Sequence, residues 1–243
     1  MDPSLDAVTF DFWNTLVYEE AGSLRAGQLQ AWTSILGEAG VEVDRERLER
    51  SFDASWDTYV RSCEENRQYP YERAAADILA AIGLDPAPDV RSSLVEAFPR
   101  SGEGAELHMA DGIEACLRAL DAGGVRLGII CDVGMSPSPV LRSHLERKGL
   151  LELFDHWSFS DEVGVYKPSP EIFENELAGL GVTEPSRAAH VGDRRRTDIA
   201  GALAIGMIAV RYLGVFDDDD LTQPEGDHVV KHHDELAGVL GLS

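Results

Sequence analysis

From Gly112 to the C-terminal end the sequence alternates short apolar runs with helix-length segments, and few architectures accommodate that alternation. A helix predicted over Ile113 to Ala122 leads through Gly123-Gly124 into the run VRLGIICD. A Pro-rich turn and a helix from Val140 to Lys148 follow, then the strand WSFSD. Ser169-Pro170 opens the next helix with an N-cap residue followed by proline at the first helical position, and Phe173, Leu177 and Leu180 share one face of it. The strand AAHVGD, a helix near Thr197 to Ile205, the strand MIAVRYL, a last strand DHVVKH and a terminal helix complete the series. Strands interleaved with helices of this length predict an α/β fold, a parallel sheet with helices on both faces.

The first strand of that sheet lies far upstream. Val8, Thr9 and Phe10 form an apolar, β-prone run that ends in Asp11, so a buried strand delivers one carboxylate to its C-terminal edge. Asn14 and Thr15 follow, residue types common in tight turns whose backbone amides can gather around a phosphate. Taken alone, Asp11 reads equally well as a reacting group or as the cap of a following helix.

Between about Tyr18 and Glu103 the pattern is helical throughout. Apolar residues recur at helical spacing in four groups: Leu29, Trp32 and Leu36; Leu48, Phe52, Trp56, Tyr59 and Cys63; Ile78, Leu79 and Ile82; Val90, Leu94 and Phe98. Breaks at Gly37 to Asp44, Pro70, Gly83 to Pro88 and Pro99 to Gly104 separate four helices, with Asp44 an N-cap candidate. Trp32 and Trp56 are assigned to their apolar core. The expected organisation is a core of residues 1–17 and 104–243, interrupted after its first strand by a helical insertion over 18–103 placed to cover the carboxyl edge where such sheets bind ligands.

Composition narrows the function. The 21 Lys and Arg against 44 Asp and Glu give a formal net charge of −23, a field that repels nucleic-acid backbones and anionic lipid surfaces. Neither is expected as a partner. No apolar run reaches the roughly 20 residues of a membrane span, and MDPSLDAV lacks the basic and apolar segments of a signal peptide. The expectation is a soluble cytoplasmic protein whose thiols are reduced, since Cys63, Cys116 and Cys131 are odd in number and widely spaced. An anionic substrate would need local positive charge, most simply a divalent metal and a few basic side chains.

Later strand ends supply such groups. In HVGDRRRTD a strand terminates at Gly192 and Asp193, and Asp198 follows five residues on. With Asp11 these make an all-oxygen set of the kind Mg²⁺ accepts, although as a separate motif Asp193 and Asp198 also read as helix caps. Lys167, in VYKPSP, could neutralise both a carboxylate nucleophile and an incoming phosphate. LGIICDVG ends in Cys131 and Asp132, where a small polar group could meet a phosphoryl oxygen, but a thiol is a poor donor and Cys131 reads more simply as a buried structural residue. The run Asp217 to Asp220 reads as a solvated loop cluster, and at least two of Arg194, Arg195 and Arg196 as solvent-facing.

In their order, DFWNT at 11–15, IICD at 129–132, YKP at 166–168 and GDRRRTD at 192–198 make the chain resemble the haloacid dehalogenase-like hydrolase superfamily. The resemblance spans the core from end to end. It implies a Rossmann-like core with a helical cap over 18–103, Asp11 as the nucleophile of an aspartyl intermediate, and Lys167 as the charge organiser. It also implies Mg²⁺ held by Asp11, Asp193, Asp198 and the backbone carbonyl of Trp13, with Asn14, Thr15, Cys131 and Asp132 facing a small phosphorylated substrate.

Two departures bear on activity. Phosphatases of the superfamily usually carry a second Asp two residues after the nucleophile as general acid and base, where this chain has Trp13. Loss of that function is worth roughly 10²- to 10⁴-fold in rate. Cys131 stands where Ser or Thr is usual. The leading expectation is a Mg²⁺-dependent phosphatase whose missing acid is offset by a good leaving group, by a relay through Asp132 or the cap, or by slow turnover. A 2-haloacid dehalogenase and a noncatalytic phosphometabolite-binding protein are the alternatives, and monomer and dimer are equally open.

Overall fold

The computed structural model describes residues 5–242, so the segment MDPS that begins the predicted core, and Ser243, lie outside the described residues. In chain order the elements are β1 (Ala7–Phe10), β2 (Val17–Glu19), α1 (Ser23–Glu38), α2 (Arg45–Glu64), α3 (Tyr71–Ile82), α4 (Pro88–Glu103), β3 (Leu107–Met109), α5 (Ile113–Ala122) and β4 (Arg126–Cys131). Then come α6 (Ser138–Arg147), β5 (His156–Phe159), α7 (Ser160–Val163), α8 (Pro170–Gly179), β6 (Ala188–Gly192), α9 (Ala200–Ile205), β7 (Ile208–Tyr212), β8 (His228–Val230) and α10 (Leu236–Val239). The described residues divide into two compact units, one of residues 5–18, 107–132 and 145–242, the other of Glu19–Glu106 with Val133–His144.

The first unit is built on a six-stranded sheet of order β5-β4-β1-β6-β7-β8 in which every pairing is parallel, the Rossmann-like α/β fold. β1 lies at its centre, buried at all four residues, with Phe10 opposite Ile129 of β4 and Val191 of β6. Alternation along a strand assigns residues to faces. Ala7 and Ile130 pack with Ile172, Phe173 and Leu177 of α8 and with Ala202 of α9. Phe10 points the other way, toward the ring of His233. At the amino edge Arg187 grips Asp6 through two bonds of 2.6 Å. β2 and β3, too short to leave a periodic signal, form a separate two-stranded sheet.

The second unit contains α1 to α4. Trp32 is fully buried, with its ring edge-on to both Phe52 and Phe98, and Asp44 caps α2 by accepting from the Glu46 amide. Trp56, expected in the core, is 53% exposed. The buried face of α2 runs through Leu48, Ser51, Phe52, Ser55, Tyr59 and Ser62, so small serines rather than Trp56 and Cys63 complete the stripe. The break expected at Pro99 is absent: α4 continues through that proline to Glu103.

Two further expectations are corrected. Of the acidic run, Asp217 pairs with Arg211 at 2.7 Å and Asp218 accepts from the Arg195 amide at 2.9 Å, so this loop is tied down by buried cations. Arg195 itself is buried and pairs with Glu225, while Arg194 is exposed over the Phe216 ring and Arg196 is half-buried. Among the described residues no helix is long and apolar enough to cross a membrane, and no disulfide joins any of the three cysteines.

Candidate active site

The parallel register sets the site. Asp11 is the first residue past β1, Asp132 the first past β4 and Asp193 the first past β6, so three adjacent strands each hand a carboxylate to one edge of the sheet. That is the crevice at the carboxyl ends of central strands where open α/β sheets bind ligands. The Asp11 amide donates to the Val191 carbonyl at 2.9 Å, which continues the pairing one residue beyond β1 and fixes where the side chain begins.

One π-helical turn over Arg195–Ile199 precedes α9 and carries Asp198 back toward Asp11. Ligand oxygens of Asp11, Asp193 and Asp198 all lie within 4.8 Å of one another, and the three residues are buried. Gly192 makes room for this return, because a Cβ there would stand 2.4 Å from the Asp198 carboxyl carbon.

Lys167 neutralises part of the charge. Its Nζ donates to Asp11 Oδ1 and Asp198 Oδ1, each at 2.6 Å, and to the Ile130 carbonyl at 3.0 Å. Burial opposes the ammonium, but Asp11, Asp198 and Asp132 outweigh it and hold its pKa above the usual lysine range. Burial would also raise Asp198, yet Lys167 and then His190 overcome it and keep that carboxyl below the ordinary range. Asp11 ends up at about 7, pushed by burial and by Asp198 against the pull of Lys167. Asp193 is pushed well up by burial and by the charges of Asp11 and Asp198, with Arg194 only 3.6 Å away and exposed.

That residual negative charge suits a bound cation. Three carboxylates share one buried ammonium, and the donors are all oxygen, which suits a hard divalent cation such as Mg²⁺. Asp11, Asp193 and Asp198 could hold one.

The other expected site residues are distributed unevenly. Asn14, in the left-handed conformation, turns its amide to Asp193 Oδ2 at 3.3 Å. Thr15 is fully buried with an Oγ1 that has no hydrogen-bond partner among the described residues, and its carbonyl accepts from His233 Nε2 at 2.9 Å. Trp13 is half-buried, edge-on to Phe12. Cys131 is fully buried, its thiol reaches only its neighbour's carbonyl at 3.4 Å, and burial drives its pKa well up, so it is a neutral thiol. Asp132 accepts from the Lys167 amide at 2.8 Å. The Lys167–Pro168 peptide is cis.

Sequence reasoning passed over His190 and Thr9. Opposite one another in the β1–β6 register, they form a buried chain: Thr9 Oγ1 stands 2.9 Å from His190 Nδ1, and His190 Nε2 is 3.4 Å from Asp198 Oδ1. Burial lowers the His190 pKa and keeps the ring neutral; a carboxylate only accepts, so Nε2 carries the hydrogen and Nδ1 accepts from the Thr9 hydroxyl, which also lies 3.3 Å from the Ala189 carbonyl. The signal was present as a histidine in the middle of the otherwise apolar strand AAHVG.

Residues 5–206 match the family model of haloacid dehalogenase-like hydrolases. A glyceraldehyde 3-phosphate phosphatase of Methanothermobacter thermautotrophicus is 28% identical over 94% of this chain and 92% of its own length. Its counterpart from Methanopyrus kandleri is 31% identical over 85% and 83%. The crystal structure of a HAD phosphatase from Thermococcus onnurineus is similar at a TM-score of 0.65 and 25% identity, over 98% of both chains. A sheet that gathers carboxylates at three adjacent strand ends, together with a family match across most of the chain, makes this protein a member of the haloacid dehalogenase-like hydrolases.

Proposed function

We propose that this hydrolase is a Mg²⁺-dependent phosphatase of small phosphorylated metabolites that works through an aspartyl-phosphate intermediate on Asp11. The observation that carries the reading is the 2.6 Å contact of Lys167 with Asp11 inside a cluster of three buried carboxylates. A carboxylate attacking a phosphate must approach like charge, and Lys167 supplies fixed positive charge at the attacking oxygen without reorganising. Asp11, Asp193, Asp198 and the Trp13 carbonyl would hold the metal, which when bound neutralises the carboxylates and polarises a phosphoryl oxygen. The Asn14 amide, 3.3 Å from Asp193 Oδ2, supports a site-facing role for the loop after β1. We assign selection of the substrate to the helical unit, read as a cap over 18–103, and place the enzyme in the cytoplasm. The two relatives named as glyceraldehyde 3-phosphate phosphatases put that ester at the head of the substrate panel.

The test is phosphate release from a panel of triose, sugar, nucleotide and acyl phosphates by purified protein, with and without Mg²⁺, beside Asp11→Asn. Metal-dependent release that Asp11→Asn abolishes is the expected result. No release from any member, combined with halide release from 2-haloacids, would replace this reading with dehalogenation.

A further inference from the structure

Trp13 leaves the site without a proton-exchanging side chain two residues beyond the nucleophile. We propose that Asp132 is the general acid and base of this active site, protonating the departing oxygen and then deprotonating the attacking water; the proposal rests on the phosphatase reading above.

Strand geometry places Asp132 for this work. Thr9 is opposite Gly128 and Phe10 opposite Ile129, so Asp11 continues the register to Ile130 and Asp132 stands two residues further along the adjacent strand. At the usual strand rise and spacing that is roughly 8 Å between backbones, with Asp132 on the side of Asp11 that lies beyond the sheet edge. Side chains alternate, so Thr9 and Asp11 share a face, as do Gly128, Ile130 and Asp132. These are the same face, because Ala7, Ile130 and the Gly128 neighbour Glu176 all pack toward α8. Lys167 joins the two carboxyls from that face, its amide donating to Asp132 Oδ1 at 2.8 Å and its Nζ to Asp11 Oδ1 at 2.6 Å.

The second oxygen is free for the reaction. Asp132 Oδ2 has no hydrogen-bond partner among the described residues, the side chain is half-buried rather than sealed, and it is not one of the three clustered carboxylates. Burial raises its pKa to about 6 against the pull of Lys167. The charged and titratable groups that act on it are Lys167 from the segment before α8, Asp198 and Arg196 from the π-helical turn, and Asp11 from the end of β1, with the neutral Cys131 thiol beside it. A carboxyl so placed exchanges its proton near neutrality, where Trp13 cannot.

The steps balance. In the first, an Asp11 oxygen bonds to phosphorus as the bond from phosphorus to the leaving oxygen breaks, and the Asp132 proton passes to that oxygen. In the second, a water oxygen bonds to phosphorus, the bond from phosphorus to Asp11 breaks, and Asp132 takes the proton of the water. Both carboxyl groups return to their starting forms.

The test compares kcat/KM in Mg²⁺ for alkyl, aryl and acetyl phosphates between the unmodified protein and Asp132→Asn, which keeps an oxygen for the Lys167 amide. Asp132→Asn should lower the alkyl value about 10²- to 10⁴-fold. The acetyl phosphate value should change by less than about fivefold, because its leaving group departs without a proton. Adding Trp13→Asp to Asp132→Asn should restore part of the alkyl rate. Equal loss for every leaving group would make Asp132 a positioning residue for Lys167 and overturn the proposal, as would an undiminished alkyl rate. Failure of the unmodified protein to release phosphate from any of the three would instead overturn the phosphatase reading, and this proposal with it.

Discussion

Lys167 Nζ lies 2.6 Å from Asp11 Oδ1, and the same nitrogen is 2.6 Å from Asp198 Oδ1. One ammonium thus holds the proposed nucleophile and a candidate metal ligand at fixed separation, with 2% of its side chain exposed. Lys167→Met keeps the length and removes the charge. Phosphate release should fall by at least about 10²-fold, the scale of losing a preorganised electrostatic contact. Removing one partner of a buried pair costs about 3 to 5 kcal/mol, so urea unfolding at neutral pH should show a loss of that order. Unchanged stability would mean that the carboxylates do not depend on this cation.

His190 should act on the metal through Asp198. His190→Leu removes the donor 3.4 Å from Asp198 Oδ1, leaving that carboxylate to Lys167 and the Arg194 amide. Loss of an outer partner of a metal ligand typically costs 10- to 100-fold in affinity, and calorimetric titration with Mg²⁺ should show a weakening on the order of that range. Thr9→Val, which leaves the imidazole without the partner of Nδ1, should produce a smaller effect of the same sign. Equal Mg²⁺ affinity in all three proteins would contradict this role.

Gly192 tests the geometry of the return turn. In Gly192→Ala the new methyl would meet Asp198 at 2.4 to 2.6 Å, so the carboxylate or the turn must shift. Misplacement on the order of 1 Å can cost about 10²-fold in rate. The expected phenotype is loss of Mg²⁺ binding and turnover in a protein that still unfolds cooperatively. Normal turnover would show that Asp198 need not sit where the structure puts it.

A pH effect on stability follows from Glu176, buried beneath β4, which accepts from His156 Nδ1 at 2.9 Å, from Ser158 at 2.7 Å and from the Ile129 amide at 3.1 Å. The hydrogen bond to Glu176 raises the His156 pKa, and burial raises that of Glu176. Raised folded-state values have one sign for both groups. Their stabilising contribution is complete below the unfolded values, about 6.5 for imidazole and 4.3 for the carboxyl, and is lost as pH rises through the folded ones. Denaturant unfolding should therefore show the unmodified protein losing stability relative to His156→Gln as pH rises from about 6 to about 8.5. Parallel curves would show that the pair does not titrate with folding.

What the sequence makes legible is whatever periodicity and strand ends encode. The alternation after Gly112 locates the strands of the sheet, and Asp11, Asp132 and Asp193 are visible because each ends an apolar run. The position of Asp198 depends on a π-helical turn, and that of Lys167 on the path of a loop, neither of which has a periodic signature. Side chains buried for polar reasons are the least visible. His190 and Thr9 occupy strand positions where apolar residues are the rule, and Glu176 looks like an ordinary surface residue of an amphipathic helix until Gly128 opens a space for it. The misassigned Trp56 has the same origin, because Ser51, Ser55 and Ser62 take the buried positions that hydrophobicity alone would give to larger residues.

Covalent chemistry at Asp11 would leave an aspartyl phosphate that can be trapped. The protein is mixed with Mg²⁺ and a phosphorylated substrate that it turns over, quenched in acid, reduced with borohydride, digested and analysed by mass spectrometry. An aspartyl phosphate is reduced to homoserine, so homoserine is expected at position 11 in the substrate-treated sample and intact Asp11 in the substrate-free control. Intact Asp11 in a sample quenched during rapid steady-state phosphate release, with Asp11→Asn still active, would contradict it.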